Sequence, residues 1–187
     1  MANEKYLNRY RISSARAPWH GYDGGIYFIT ICTAHRKHFF GKISGGEMHL
    51  SVMGKCLDET IRHVTIHYPY AEIPLFVIMP DHFHAIVIID GDKTPKPTEP
   101  ICGDAACHVS TTMGKNLKMQ GIANQSGWLS VCMGGIKSAV TKFAHANHIE
   151  FAWQTRFHDH IIRDTGELDR IALYIKKNIT QWESDHS

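Results

Sequence analysis

Ile73-Pro74-Leu75-Phe76-Val77-Ile78-Met79-Pro80-Asp81-His82-Phe83-His84-Ala85-Ile86-Val87-Ile88-Ile89 consists of two dense apolar runs separated by Pro80 and Asp81. Each run has strand length, and a Pro-Asp break between two strands reads as a hairpin. In the second run Phe83, Ala85, Val87 and Ile89 alternate onto one face, with Ile86 and Ile88 on the other. A strand apolar on both faces is a central strand covered on both sides. His82 and His84 open that strand. Residues i and i+2 of a strand share a face and sit about 6.5–7 Å apart, close enough for two imidazoles to converge on one ion. Phe83 then points into the opposite layer. Two polar residues at a sheet rim are the other reading of this pattern. Buried imidazoles at the mouth of an apolar strand need partners in either case.

Outward from this hairpin, Ile26 to Thr33 is β-branched and aromatic and reads as a strand, and Met48 to Ser51 as a short one. Leu57, Ile61 and Val64 recur at helical spacing, which predicts a helix over Ser51 to His67, closed by Pro69. Gly91 to Gly127 is rich in Gly, Pro, Thr, Lys and Asn and lacks an apolar period, so a mobile insertion is expected there. A helix is expected from Leu129 to Ala146, a strand from Phe157 to Arg163, and a last helix from Asp164 or Thr165 to about Trp182. Strands and helices interleave in an α+β domain spanning 1–187, without internal repeats.

The last helix carries the second chemical signal. Leu168, Ile171, Ala172, Ile175, Ile179 and Trp182 form its buried stripe. Tyr174 lies at the edge of that stripe, where a phenol either packs or faces a cleft. Asn178 follows four residues later, about 40° around the axis, and offers a hard carbonyl oxygen suited to a divalent ion.

Composition sets few bounds. The 187 residues are 43% hydrophobic and 20% charged, with a formal net charge of +2. That balance is ordinary for a globular chain and identifies no partner. Five scattered cysteines, a polar and basic stretch from Met1 to Arg16, and no apolar run of membrane-spanning length point to a reduced, cytoplasmic protein without a membrane partner. Cys102, Cys107 and His108 do not form a CxxC pair. Arg36, Lys137, Lys142, Arg163, Lys176 and Lys177 are candidate phosphate contacts; a solvated surface is the alternative reading of each. Tyr68, Tyr70 and Trp128 are candidate base-stacking or packing aromatics. His158-Asp159-His160 repeats the HxH spacing and reads as a strand-face pair near the site.

Val77-Ile78-Met79-Pro80-Asp81-His82-Phe83-His84 and Tyr174-Ile175-Lys176-Lys177-Asn178 together resemble the signature of HUH single-tyrosine transposases. The likeness is greatest to the branch of REP-associated tyrosine transposases. Tyr27-Phe28-Ile29-Thr30-Ile31-Cys32-Thr33 followed by Arg36 and Phe39-Phe40-Gly41, then Gly135-Ile136-Lys137-Ser138, then Trp153-Gln154 before Phe157, agree in order. The resemblance covers nearly the whole chain outside 91–127. It implies a ferredoxin-like, mostly antiparallel sheet of about five strands flanked by helices, and a homodimer. It also implies His82, His84 and Asn178 as ligands of Mg²⁺ or Mn²⁺, with Tyr174 as the nucleophile. The reaction implied is cleavage and rejoining of single-stranded DNA, at a hairpin, through a 5′-phosphotyrosine. The chain departs from the pattern at Ile179, where relatives commonly have proline, and at Asp81, where they commonly have asparagine.

Elementary chemistry is compatible with that implication. A tyrosine has a pKa near 10, so attack at neutral pH needs a nearby cation or base. Two imidazoles favour zinc or manganese over magnesium. Among rivals, a histidine-triad hydrolase needs a third histidine where Ile86 stands, and a zinc deaminase needs a Pro-Cys-x-x-Cys that is absent. A non-catalytic DNA hairpin-binding protein of the same fold and a replication or mobilisation nuclease of the same superfamily remain as alternatives.

Overall fold

Four strands, β3 (Gly25–Cys32), β6 (Ala71–Ile78), β7 (His82–Ile89) and β8 (His158–Ile162), form one fully antiparallel sheet in the order β6-β7-β3-β8. They belong to a computed structural model that describes residues 5–6, 9–10, 24–94 and 127–185. Two further pairs stand apart from the sheet: β1 (Lys5–Tyr6) with β2 (Arg9–Tyr10), and β4 (Gly41–Ser44) with β5 (Glu47–Leu50). The helices are α1 (Val52–Arg62), α2 (Val64–His67), α3 (Gly127–Ala146) and α4 (Thr165–Asp185). Chain order through the sheet is therefore β3-α1-β6-β7-α3-β8, a split βαβ arrangement of the ferredoxin-like kind. The expected strand count of about five resolves into four in the sheet, with the remaining strands in separate hairpins.

The alternation of side chains on the central strands makes two apolar layers. Tyr27, Ile29 and Ile31 of β3 join Phe83, Ala85 and Val87 of β7 under α1 and α3, which supply Leu57, Ile61, Leu129, Met133, Ile136 and Val140. On the other face Ile86 and Ile162 meet Ile175 of α4, with Phe28, Val77, Leu168 and Ile171 around them. Covering both faces explains why β7 is apolar along both. Burying each large side chain of this kind stabilises the fold by about 1.5–3 kcal/mol. Close approach of α3 depends on Gly135, where a Cβ would stand 1.7 Å from the Tyr68 phenol oxygen.

Two local departures have physical causes. The helix expected over Ser51 to His67 is interrupted at His63, which takes φ −98° and ψ 14° before the β-branched residues of α2. Its start is as read, with the Ser51 hydroxyl accepting from the Gly54 N–H at 3.1 Å. In β6 the register shifts between Glu72 and Leu75, which accommodates Pro74 on an edge strand. The last helix is capped by Asp164, whose carboxylate accepts from the Glu167 N–H at 2.8 Å. Of the insertion expected over 91–127, residues 95–126 lie outside the described residues, and so does any test of its mobility. Among the described residues no helix is long and apolar enough to cross a membrane.

Candidate active site

Because Phe83 enters the layer under α1 and α3, His82 and His84 project from the opposite face of β7, towards α4. Each imidazole is held from behind. The Asp81 carboxylate lies 2.5 Å from His82 Nδ1, and the Thr30 hydroxyl, on the neighbouring strand, lies 2.8 Å from His84 Nδ1. The two Nε2 atoms consequently face each other at 3.1 Å. Both rings are nearly enclosed, each 6% exposed.

Asp81 sits in the turn between β6 and β7. Its carbonyl accepts from the Thr33 N–H at 2.8 Å and the Thr33 hydroxyl at 2.9 Å. Its carboxylate is shared between His82 and the Arg36 guanidinium, whose Nε is 2.8 Å away. Burial alone would raise the Asp81 pKa. The hydrogen bond to His82 and the charges of His82, Arg36 and His38 outweigh it and hold the carboxyl below its ordinary value. Arg36 reaches this position from a turn in which His35 and Arg36 both take φ 55°, a left-handed conformation that costs non-glycine residues of order 1–3 kcal/mol each. The same guanidinium donates to Cys32 Sγ at 2.9 Å.

The covering helix presents Tyr174, Asn178 and Trp182 at i, i+4 and i+8, one face of α4. The Tyr174 oxygen is 3.3 Å from His84 Nε2. Trp182 stands 5.9 Å from the His82 ring and 6.0 Å from that of His38. Asn178 is buried and lies between these two residues on the same face of the helix. Phe28 stacks on His84 at 5.3 Å and meets Tyr174 edge-on. Burial first, then the electrostatic influence of neighbouring His82 and Arg36, pushes the His84 pKa down to about 3, so its ring is neutral at physiological pH.

The donor set suits a divalent ion. Two nitrogens each about 2.1 Å from one ion lie about 3 Å apart when they subtend a right angle. The observed 3.1 Å matches that spacing. Among the described residues no group of three or more His, Cys, Asp or Glu could hold a metal ion, so a further protein donor beside the pair would have to be of another residue type. The carboxylate behind His82 is the partner that metal-ligating imidazoles characteristically have.

Other residues singled out above are placed differently. Arg36 is at the site. Lys176 and Lys177 are exposed on α4, in the turn that follows Tyr174. Lys137 is not brought to the histidines: it lies on α3 across the sheet, donates to the Gln154 carbonyl at 2.8 Å and stands over the Trp153 ring. Lys142 is exposed on the same helix, and Arg163 is exposed where its backbone N–H donates to Glu167. His158 and His160 do lie on the α4 face, opposite Thr30 and Phe28, but His160 is committed to Glu167 at 2.7 Å and His158 is exposed. Tyr68, Tyr70 and Trp128 pack on one another.

Sequence reasoning did not anticipate Thr30, Phe28, or Asp81 as a partner of His82, and it placed Trp182 in the apolar stripe. A carboxylate directly before a histidine was the signal available for Asp81. Thr30 needed the cross-strand register.

No family model matches the chain. A protein of Haemophilus influenzae, described as uncharacterized, is 30% identical over 162 residues, covering 86% of this chain and 83% of that one. Among solved structures, a REP-associated tyrosine transposase bound to a REP hairpin is similar at a TM-score of 0.49 and 20% identity, covering 91% of this chain and 74% of that one.

Proposed function

The chain belongs to the same family as that uncharacterized protein of Haemophilus influenzae, and we propose that it cleaves and rejoins single-stranded DNA, at a hairpin, through a covalent bond to Tyr174. One observation carries the reading: in one chain, the phenol oxygen stands 3.3 Å from Nε2 of His84, a buried and neutral member of the histidine pair. The ordered motifs that resemble HUH single-tyrosine transposases supply the substrate class.

Tyr174 is 43% exposed, so a phosphate can reach the phenol from solvent while the helix holds the ring against Phe28 and His84. The phenol gives its proton to water and its oxygen attacks phosphorus, the P–O3′ bond breaks, and the 3′ oxygen takes a proton back from water and leaves as a hydroxyl. The product is a 5′-phosphotyrosine. Reversal by a 3′-hydroxyl restores a phosphodiester and the free phenol, so no external energy source is needed. His82, His84 and Asn178 would hold Mg²⁺ or Mn²⁺, which supplies a Lewis acid for a nonbridging phosphate oxygen. The half-exposed Arg36 guanidinium and the exposed Lys176 and Lys177 would contact the DNA backbone. Tyr174 meets His84 of its own chain, which supports assembly of the site in cis; in a homodimer, each chain would carry a whole site. A cytoplasmic, transposase-like enzyme without a membrane partner is the corresponding cellular reading.

The test is incubation of the chain and of Tyr174→Phe with labelled single-stranded hairpin DNA and Mn²⁺, followed by denaturing electrophoresis. The wild type forms a denaturant-resistant adduct, and the variant binds the DNA without forming one. An adduct on the Phe variant would assign the nucleophile elsewhere.

A further inference from the structure

We propose that Asp81 and Thr30 are positioning residues that set, from opposite ends, which ring nitrogens the histidine pair presents. Asp81 holds His82 in a single tautomer, and the Thr30 hydroxyl lets His84 change between two. The proposal rests on the metal-site reading above and adds the means by which this chain makes that site ready.

The assignment follows from counting protons along the contacts, with both rings in the neutral form that ligation requires. The Asp81 carboxylate, 2% exposed and fixed by Arg36, has no proton to give. His82 Nδ1, 2.5 Å away, must therefore be the donor, and His82 Nε2 carries a bare lone pair. Across 3.1 Å stands His84 Nε2. Two lone pairs at that distance would repel, so a hydrogen lies between them, and it belongs to His84. His84 Nδ1 is then an acceptor, and the Thr30 hydroxyl donates to it at 2.8 Å. Donation runs one way, from Thr30 to His84 to His82 to Asp81, with Arg36 closing the far end. The Tyr174 oxygen at 3.3 Å is a second acceptor of the same His84 N–H.

The hydrogen between the two rings occupies the place where a cation would sit. For His84 Nε2 to become a ligand, that hydrogen must leave and another must be gained at Nδ1, by exchange with water. The ring stays neutral and the balance is zero. The change is possible only if the group behind Nδ1 can turn from donor to acceptor without moving its heavy atom. A hydroxyl can do this, whereas an amide nitrogen or an ammonium cannot. At the other end no reversal is wanted. A carboxylate accepts only, while asparagine at position 81 would offer His82 both an accepting and a donating edge.

The experiment uses the full chain, metal-free, at about pH 8, above the ordinary imidazole value. Nitrogen-15 shifts of the rings report the tautomers, and calorimetric titration with Mn²⁺ reports affinity. The expected result is His82 protonated at Nδ1 and His84 at Nε2. Asp81→Asn gives a mixed His82 tautomer and weakens Mn²⁺ binding about 10- to 100-fold, and Thr30→Val weakens it within the same range. Thr30→Ser, which keeps the hydroxyl, restores affinity to within about threefold of wild type. A wild-type His82 protonated at Nε2, or at both nitrogens, overturns the proposal. So does unchanged affinity in both Asp81→Asn and Thr30→Val. The expected tautomers in a wild type that binds no Mn²⁺ would support the relay and overturn the metal reading instead.

Discussion

The chain contains two HxH motifs on strands of one sheet, facing the same helix, and their fates differ. His82-Phe83-His84 lies on β7, flanked by β6 and β3, and its rings are buried. His158-Asp159-His160 lies on the edge strand β8, and its rings are exposed. The spacing is identical, so spacing cannot be what makes a site. The first motif differs in having a partner behind each ring, Asp81 and Thr30, and a helix in front that brings Tyr174 and Asn178. In the second, His160 is paired with Glu167 at the start of that helix, an arrangement that ties the helix to the sheet edge. A central strand supplies neighbours on both sides and an edge strand on one, and converging ligands need that enclosure.

The largest effect expected from this contrast is on turnover. His84→Ala removes a proposed ligand and should lower metal-dependent cleavage by about a thousandfold, the scale on which losing a directly acting group registers. His158→Ala should change the rate less than about threefold, as expected of an exposed residue outside the reacting groups. Comparable losses in gel-based cleavage rates for the two variants would erase the distinction. Stability separates the motifs next. Phe83, with no exposed surface, fills the layer under α1 and α3, so Phe83→Ala should cost about 3–5 kcal/mol in urea unfolding. His158→Ala should stay within about 0.5 kcal/mol of wild type.

Acid should distinguish them as well. His84 titrates near 6.5 when unfolded and is pushed down to about 3 by burial in the fold. Between those values the unfolded chain binds a proton that the native chain does not, so stability is full above pH 6.5 and falls as the pH drops towards 3. Glu167, beside His160, has its pKa lowered by the backbone N–H of Arg163 first and by His160 second. Its contribution is present above the ordinary 4.5 and is lost only below it. Thermal unfolding followed from pH 8 downward should therefore begin to weaken near pH 6.5. His84→Gln should delay that onset, and Glu167→Gln should alter only the more acidic limb. An onset near 4.5 in the wild type would locate the sensitivity away from the buried pair.

How much of this was readable beforehand follows from how local each feature is. The Ile73–Ile89 hairpin, the burial of Phe83 opposite the two histidines and the Leu168–Ile175 stripe all follow from period and polarity within a few residues, and the structure has them. The β4–β5 hairpin was half-read. Its turn residues Gly45 and Gly46 take φ 63° and 76°, a turn signal present in the sequence, but its strands expose every other residue and no apolar run marks them. Asp81 reads as a turn residue because its second role depends on Arg36 arriving through a left-handed turn. Trp182 falls on the apolar period, yet it meets His82 and His38, and only the crossing of α4 over β7 decides that.

The smallest effect concerns how, under the proposed function, DNA would reach the first motif and not the second. Lys176 and Lys177 are exposed beside Tyr174, whereas Lys137 is occupied by the Gln154 carbonyl on the far side of the sheet. Each lysine that neutralises a phosphate releases counterions, so its removal should reduce the slope of log K against log salt by about one unit. Lys176→Ala and Lys177→Ala should each weaken single-stranded DNA binding by a few-fold at physiological salt and lower that slope. Lys142→Ala, exposed on α3 across the sheet, should leave both unchanged. Fluorescence anisotropy over a salt series measures the two quantities together. If Lys142→Ala lowers the slope and the α4 lysines do not, the DNA crosses the α1–α3 face. Tyr174 would then lie on the wrong side of the sheet from its substrate, and the second motif would be no worse placed for DNA than the first.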